Sequence, residues 1–344
     1  MLPRLLSRIS LTWNVLLRGG RALTPRLVLP PLSPEELAEA QSFFPRPKFF
    51  VYGHARSGTT LLMRLIDAHP DVHCSRQAHF FTRPPYLHAL VSDPDVAAWL
   101  NRSSFRWNRG RDLAPVILRA AADFILEREA ARTGASIVGD KSPNSINDGE
   151  AIDLTHRIYP DAKIVYIVRD GRDVVLSHRV QAFIDAPQHL SRRDLQIRAE
   201  FQRDSESFRS PDRSLFTDKS IRDYARGWTR SVETTTERGQ ALYGDQFHAL
   251  RFEDLVADPA GETAKTWSFL GADPSFSGAE EAIDTVAGTN RDAQWQETKA
   301  TDLADEIPKG QRGSWEAFFS ERDNRVFLDI AGATLAAWHY DFGN

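Results

Sequence analysis

The sequence predicts an α/β protein in which a mainly parallel sheet lies between two layers of helices. Short apolar runs that suit buried strands alternate with longer stretches that suit helices. The two strongest runs, residues 49–52 and 163–168, each lead into a turn and then into a helix. Strands of a parallel sheet are buried on both faces, and this accounts for their continuously apolar character.

The composition is that of a globular protein of 344 residues. Hydrophobic residues make up 41% and charged residues 26% of the chain, which is normal for this class. The net charge of -4 gives no electrostatic footprint for nucleic acid. One cysteine, Cys74, allows no internal disulfide, and no apolar run reaches the length of about 18 residues that a spanning helix needs. We therefore expect a cytoplasmic protein.

Residues 1–47 are predicted to form a basic amphipathic arm and a proline-marked linker ahead of a single domain, residues 48–344. The arm has arginines at positions 4, 8, 18, 21 and 26 and no acid before Glu35. Its apolar residues recur near helical spacing: Leu2, Leu5, Leu6, Ile9, Trp13, Leu16 and Leu17. Packing on the domain is the favoured interpretation. A transit-like segment and peripheral membrane contact through residues 1–30 stay open as alternatives.

An anion site is predicted where the first strand ends. The turn at residues 53–58 leads into a helix, so several backbone N–H groups and the positive end of the helix dipole meet there. Arg56 adds a forked cation, and the hydroxyls of Ser57, Thr59 and Thr60 add donors. The turn lacks the Gly-Lys-Ser/Thr ending of a Walker A loop, which disfavours ATP chemistry with a P-loop lysine. An ordinary strand–turn–helix corner is the alternative.

The same turn resembles the 5′-phosphosulfate loop of sulfotransferases that use 3′-phosphoadenosine 5′-phosphosulfate (PAPS). The resemblance rests on Arg56, Ser57, Gly58, Thr59, Thr60 and Leu61. The sequence of this loop is more similar to the tyrosylprotein, carbohydrate and bacterial branches than to the cytosolic aryl sulfotransferases. The resemblance implies that these six residues hold the 5′ end of PAPS, and that the three-layer fold carries a P-loop-like phosphosulfate loop.

A second strand–turn–helix corner follows Lys163–Val168. Arg169 comes directly after this strand, and Ser177 comes eight positions later, two turns into the predicted helix. Their side chains can therefore converge on one phosphate. In the resembled family this pair binds the 3′-phosphate of PAPS. Alternatively, Arg169 pairs with Asp170 or Asp173 at the surface.

Three side chains are candidates for the chemical step. The resembled family often has a glutamate base where this sequence has Gln77, and an amide cannot act as a base. His79 is the first candidate for that role and His54 the second, although a hydrogen-bonded structural histidine is the alternative for each. Lys141 follows a strand predicted at residues 135–138 and points to the ligand crevice of an open sheet. The resemblance places it near the transferred sulfuryl group, and a solvated loop lysine is the alternative.

Other segments have expected supporting roles. Residues 82–133 are expected to help form the acceptor pocket, and residues 188–220 to be a solvated helix or a lid. The stretch 251–255, with Glu253, resembles a framework feature of the family. Four late residues match the family segment that closes over the 3′-phosphate: Lys309, Gly310, Gly313 and Trp315. Pro308 replaces an arginine of that segment.

These residues predict transfer of a sulfuryl group from PAPS to a hydroxyl, or less readily to an amine, with release of 3′,5′-ADP. The acceptor is expected to be a small molecule, a carbohydrate or a lipid-linked compound, and its identity cannot be read from the sequence. No metal is expected, because the histidines lack ligand spacing. Two alternatives stay open. One is a P-loop-like kinase, and the other is a non-catalytic protein that binds 3′,5′-ADP, which Gln77 suggests.

Overall fold

The computed structural model describes residues 29–83, 86–102, 108–144, 149–288 and 312–342. The described strands and α-helices follow in chain order. They are α1 (Pro34–Phe43), β1 (Lys48–Gly53), α2 (Thr59–Ile66), β2 (Val72–Arg76), α3 (Pro94–Leu100), α4 (Ala114–Thr133), β3 (Ile137–Lys141), α5 (Ala151–Ile158), β4 (Lys163–Val168), α6 (Gly171–Asp185), α7 (Arg192–Arg203), α8 (Asp218–Tyr243), β5 (Phe247–Arg251), α9 (Phe252–Ala257), α10 (Pro259–Leu270), α11 (Ala279–Ala287), α12 (Ser314–Phe318) and α13 (Glu321–Ala337).

The five strands form one fully parallel sheet in the order β2-β3-β1-β4-β5. The register pairs Val51 with Lys141 of β3 on one side and Tyr52 with Tyr166 of β4 on the other. β1 is thus central, and the carboxyl ends of β3, β1 and β4 lie side by side. Ligands of open parallel sheets bind at this edge, so the topology fixes where the site has to be.

Side chains of successive strand residues enter two separate cores, as the period of two requires. Phe50 and Tyr52 of β1 pack with α4, α5, α6, α8 and α13 on one face. Phe49 and Val51 pack with α2, α10 and α11 on the other. The sheet is therefore covered on both sides, and the predicted three-layer α/β class is confirmed.

Helix α4 buries a charged pair beside an apolar stripe formed by Leu118, Ala122, Leu126 and Ala130. Arg119 and Asp123 on its inner face are 1% and 0% exposed. The Arg119 guanidinium bonds Asp123 at 2.7 Å and Asp161 at 2.7 and 3.0 Å. Its outer face carries Ile117 and Phe124, of which Phe124 is 60% exposed. The inner charges are tolerated because they are paired with each other.

Local sequence explains where most helices begin and also one departure from expectation. Residues 34–43 were expected to belong to a linker, yet they form α1. Ser33 and Glu36 make a capping box, and Pro34 stands in the first turn, where proline starts a helix rather than breaking it. The second strand expected at residues 135–138 runs instead from Ile137 to Lys141.

The charged stretch at residues 188–220, expected as a solvated helix or a lid, contains one complete α-helix, α7, which is packed on the core along one side. α7 is followed by a 3-10 turn at Glu206–Arg209. Ile197 and Phe201 of α7 are buried in the core of the domain, so one side of the helix is packed. Among the residues that the structure describes, none of the helices combines the length and the apolar character that crossing a bilayer requires.

Candidate active site

The turn between β1 and α2 brings the first backbone N–H groups of a helix to the carboxyl edge of the sheet. Gly58 is the N-cap of α2 with φ 87°, and it supplies no side chain to cap the first helical amides. A β-carbon on Gly58 would stand 2.2 Å from the ring of Phe252. Glycine is therefore required here both by the positive φ and by the space.

The side chains of this turn fit an anionic group. Ser57 is fully buried, and its Oγ has no hydrogen-bond partner among the described residues. Thr60 is exposed, and its Oγ1 lies 3.4 Å from Nζ of Lys141. Leu61 is partly buried and packs against the core that contains α2. A buried hydroxyl without a partner beside uncapped helix amides is what a phosphate or sulfate site requires.

The two predicted corners meet. Arg169 follows β4, the neighbour of β1, and its NH1 donates to the carbonyl oxygen of Arg56 at 3.2 Å. Nε of Arg56 donates to Oγ of Ser177 at 2.9 Å. The guanidinium and the hydroxyl therefore both contact Arg56, one at its carbonyl oxygen and the other at its side chain.

Arg169 is held in place from three sides. Besides the Arg56 carbonyl, its NH2 lies 3.5 Å from Asp173 Oδ2, and its guanidinium carbon lies 4.8 Å from the ring centre of Phe252. The Asp173 pair was the sequence-based alternative for a surface position, but both partners are buried. Burial raises the pKa of the Asp173 carboxyl, and the charge of Arg169 opposes that rise.

Two histidines brace the back of the first turn. Nδ1 of His54 lies 2.9 Å and Nε2 of His178 lies 3.1 Å from the carbonyl oxygen of Ala55. Burial, followed by the nearby charges of His54 and Arg56, lowers the pKa of His178 to about 3. His178 is therefore neutral, and its Nε2–H donates to Ala55. The His54 ring packs edge-on against His178 at 5.1 Å.

Lys141 lies at the end of β3, beside the first turn. Its side chain is buried rather than solvated, and its Nζ lies 3.4 Å from Thr60 Oγ1. The structure therefore places this lysine at the entrance of α2, next to the hydroxyls of the predicted 5′ site.

His79 stands on a turn after β2, and Gln77 precedes it with an exposed side chain. Nδ1 of His79 lies 2.7 Å from Thr82 Oγ1, while its Nε2 is buried with no hydrogen-bond partner among the described residues. Burial lowers the pKa of His79, and the positive charges of Arg83 and Lys141 lower it further. The ring is therefore neutral near pH 7 and has one nitrogen available.

The model of the Sulfotransferase family matches residues 47–276 of this chain. The chain belongs to the sulfotransferase family. The family predicted from the sequence is thereby confirmed, since the match covers both corners, Lys141 and His79.

Individual relatives of this sulfotransferase are distant. It is 26% identical to a protein-tyrosine sulfotransferase of Drosophila melanogaster, over 65% of this chain and 38% of that protein. It is 30% identical to protein-tyrosine sulfotransferase A of Caenorhabditis elegans, over 38% of this chain and 32% of that one. The chain thus spans well under two thirds of these relatives. A putative protein-tyrosine sulfotransferase of Caenorhabditis briggsae is 24% identical over 82% of this chain and 85% of its own length.

Among solved structures, the sulfotransferase domain of an olefin synthase from Synechococcus is similar, with a TM-score of 0.48 and 18% identity. The overlap covers 86% of this chain and 95% of that one. A mouse sulfotransferase complexed with PAP gives a TM-score of 0.46 and 18% identity, over 88% and 90% of the two chains.

The late segment of this sulfotransferase is anchored to the second corner. Asp173 accepts hydrogen bonds from the backbone N–H groups of Gly313 at 2.9 Å and of Trp315 at 3.1 Å. The Trp315 ring lies 3.7 Å from the guanidinium carbon of Arg172, so it packs on a cation of the protein. Lys309 and Gly310, which were predicted to reach the 3′-phosphate, lie outside the described residues.

Sequence reasoning expected a framework role for Glu253 and missed two other supporting residues of this site, His178 and Asp140. Glu253 accepts the Asp170 N–H at 3.1 Å and the Tyr340 hydroxyl at 2.7 Å, so the expected framework stretch ties the second corner to the end of the chain. His178 was passed over because only its place next to Ser177 could have marked it. Asp140, described below, carried no signal beyond its place before Lys141.

Proposed function

We propose that this sulfotransferase transfers a sulfuryl group from PAPS to a hydroxyl acceptor and releases 3′,5′-ADP. One observation supports this above all others: Arg169 and Ser177 contact Arg56 at 3.2 and 2.9 Å. Two anion-binding corners therefore lie side by side, as a nucleotide with phosphates at both ends requires. The distant relatives, which are protein-tyrosine sulfotransferases by name, agree with a hydroxyl acceptor.

The first corner would hold the 5′-phosphosulfate. Arg56, the amides that begin α2, and the hydroxyls of Ser57, Thr59 and Thr60 supply donors there. Arg56 and Lys141 place positive charge where it stabilises the oxygen that leaves sulfur. Because such a displacement needs little covalent work from the protein, positioning and charge account for most of the catalysis.

The second corner would hold the 3′-phosphate through Arg169 and Ser177. Arg169 suits this role because its fork offers several donors in a fixed plane. Lys309 and Gly310 stay predicted contacts of the same phosphate.

His79 would act as the general base. With Nδ1 donating to Thr82, its Nε2 carries the lone pair that accepts the proton of the acceptor hydroxyl. In the same step the acceptor oxygen bonds to sulfur, and the bond from sulfur to the 5′-phosphate oxygen breaks. His54 is disfavoured for this role, because its ring is buried behind the turn against Ala55 and His178.

Calorimetry with 3′,5′-ADP and ADP tests the nucleotide without knowledge of the acceptor. We expect 3′,5′-ADP to bind at least about tenfold more tightly, a difference of ~1.4 kcal/mol. Equal affinities would contradict the proposal. Transfer of label from PAPS to a panel of tyrosine peptides, carbohydrates, lipid-linked alcohols and phenols then tests catalysis. Binding without transfer to any of them would favour the non-catalytic alternative, and turnover with ATP and Mg²⁺ but not with PAPS would favour the kinase.

The cytoplasmic location and the membrane contact of residues 1–30 stay predictions, because most of that segment lies outside the described residues. Sedimentation with liposomes, comparing the full chain with a variant that lacks residues 1–30, tests the contact. Equal sedimentation of the two proteins would contradict membrane contact through residues 1–30.

A further inference from the structure

We propose that Asp140 and Ser142 are positioning residues that hold the turn at residues 77–79 in a left-handed conformation and thereby fix the position of His79. This inference rests on the proposed role of His79 as the base. Its subject is a brace between two strand ends, which consists of Asp140 and Ser142 at the end of β3 and the turn at residues 77–79 after β2.

The brace pairs three successive backbone N–H groups of the turn with three successive residues of the next strand. The Gln77 N–H donates to the Lys141 carbonyl at 2.8 Å. The Ala78 N–H donates to Asp140 Oδ1 at 2.9 Å, and the His79 N–H donates to Ser142 Oγ at 3.0 Å. Each donor of the turn therefore has one partner, and all the partners come from residues 140–142.

The turn is strained. Gln77 has φ 52° and His79 has φ 53°, which is the left-handed region that residues with a β-carbon disfavour. Such conformations persist only where the surroundings impose them, and they concentrate at functional sites. Here the surroundings are identified, because the three bonds to residues 140–142 account for all three amides.

The two side chains of the brace, Asp140 and Ser142, are hydrogen-bonded to each other. Ser142 Oγ donates to Asp140 Oδ2 at 2.6 Å and accepts from the His79 N–H, so its single proton has a defined direction. Asp140 is 1% exposed. Burial raises the pKa of its carboxyl to about 6, against the bonds from Ser142 and Ala78 and the charge of Lys141. A carboxylate kept at this depth needs its acceptors filled, and the turn fills one of them.

Lys141 is the middle one of these three residues, 140–142. The strand end that bends the histidine turn therefore presents the lysine of the predicted sulfuryl site, so the base and the cation share one rigid support. The charged groups that act on the His79 ring are Arg83 of its own segment and Lys141 of β3. Asp140 meets the backbone of the turn rather than the ring.

The test uses the full chain and two variants of the brace, Gln77→Gly and Ser142→Ala. Gln77→Gly removes strain and keeps the backbone bonds available, while Ser142→Ala removes the hydroxyl that links the turn to Asp140. His339→Gly is the matched control, because His339 also has a positive φ, 57°, but lies at the end of α13. Thermal unfolding, 3′,5′-ADP affinity, kcat on the best acceptor and the NMR titration of His79 are measured for each protein.

For Gln77→Gly we expect a higher Tm with an unchanged His79 titration, because glycine adopts the positive φ without strain and the three backbone bonds keep the turn in place. For Ser142→Ala we expect the pKa of His79 to move back toward its ordinary value, because the ring leaves its buried position. We expect kcat of Ser142→Ala to fall by about tenfold or more, while the affinity for 3′,5′-ADP stays the same. His339→Gly should raise the Tm and change neither the titration nor kcat.

An unchanged His79 titration and unchanged kcat in Ser142→Ala would overturn the inference, as would a lower Tm in Gln77→Gly. If Ser142→Ala does not fold, Ser142→Cys is measured in its place, because a thiol is a similar-sized but weaker hydrogen-bonding group. The Tm and the NMR titration need neither PAPS nor an acceptor, so they can fail while 3′,5′-ADP still binds preferentially. Conversely, loss of that preference in the wild-type chain would refute the proposed function and leave the titration result standing.

Discussion

The Nε of Arg56 donates a hydrogen bond to the Oγ of Ser177 at 2.9 Å, although the two residues are 121 positions apart in the chain. One residue belongs to the corner after β1 and the other to the helix after β4. In the resembled family they serve opposite ends of the nucleotide. Their contact shows that the two corners form one continuous polar surface. A substitution at one corner therefore removes a hydrogen-bond partner from the other.

We predict that Ser177→Ala weakens 3′,5′-ADP binding about tenfold, as expected for one hydrogen bond to a charged group. The variant loses a donor to the 3′-phosphate and also leaves Arg56 without this acceptor. Calorimetry measures the change. Ser268→Ala, an exposed helical serine on α10, is the control and should bind as the wild type does. Equal affinity in Ser177→Ala would remove this hydroxyl from the nucleotide site.

Arg169→Lys should reduce the preference for 3′,5′-ADP over ADP by about tenfold or more. An ammonium keeps the charge but cannot span the Arg56 carbonyl and Asp173 while it also contacts a phosphate. The ratio of the two dissociation constants is the measurement. Arg179→Lys is the control, since Arg179 is equally buried on α6 but bonds Leu215 and Asp194. If Arg169→Lys keeps the wild-type ratio, the guanidinium does not contribute to selective binding of the 3′-phosphate.

His79→Gln should lower kcat by about 10²-fold and leave the affinity for 3′,5′-ADP unchanged. The pH dependence follows from the direction of the pKa shift. Burial and the charges of Arg83 and Lys141 lower the pKa of His79 below 6.5, so the base is ready at pH 7. The rate should be flat between pH 7.5 and 8.5 and fall only as acid protonates the ring, with a midpoint below 6.5. A rate that is already falling between pH 8 and 7 would point to a different base.

Arg119→Met should lower the free energy of unfolding by about 3–5 kcal/mol, because it leaves the buried carboxylate of Asp123 without its closest cation. Urea unfolding measures the loss. Arg128→Met on the exposed side of α4 is the matched control, and its effect should stay within about 0.5 kcal/mol. A small effect at Arg119 would mean that Lys48, 3.6 Å from Asp123, neutralises the carboxylate alone.

The sequence predicts what depends on local pattern. The apolar run Lys163–Val168 is the observed β4, and the two corners appear where their turns and helix starts stand. Pro34 misled the linker prediction, because proline begins a helix as readily as it interrupts one. In each of these cases the information lies within a few residues.

The rest of the site depends on contacts between distant segments. The bond of Ala78 to Asp140 joins residues 62 positions apart, and the bond of His178 to Ala55 joins residues 123 positions apart. No periodicity marks such pairs. Helix α4 is a further case, since it buries Arg119 and Asp123 beside its apolar residues, and nothing in the local sequence marks the distant Asp161 as a partner of Arg119.

The aromatic ring of Phe252 packs against both corners. It blocks any side chain at Gly58 and lies 4.8 Å below the guanidinium carbon of Arg169. A hydrocarbon group that follows a third strand thus supports the glycine turn and the guanidinium of the second corner together. Truncation of this one buried residue would therefore loosen both corners, even though it offers a ligand no polar atom at all.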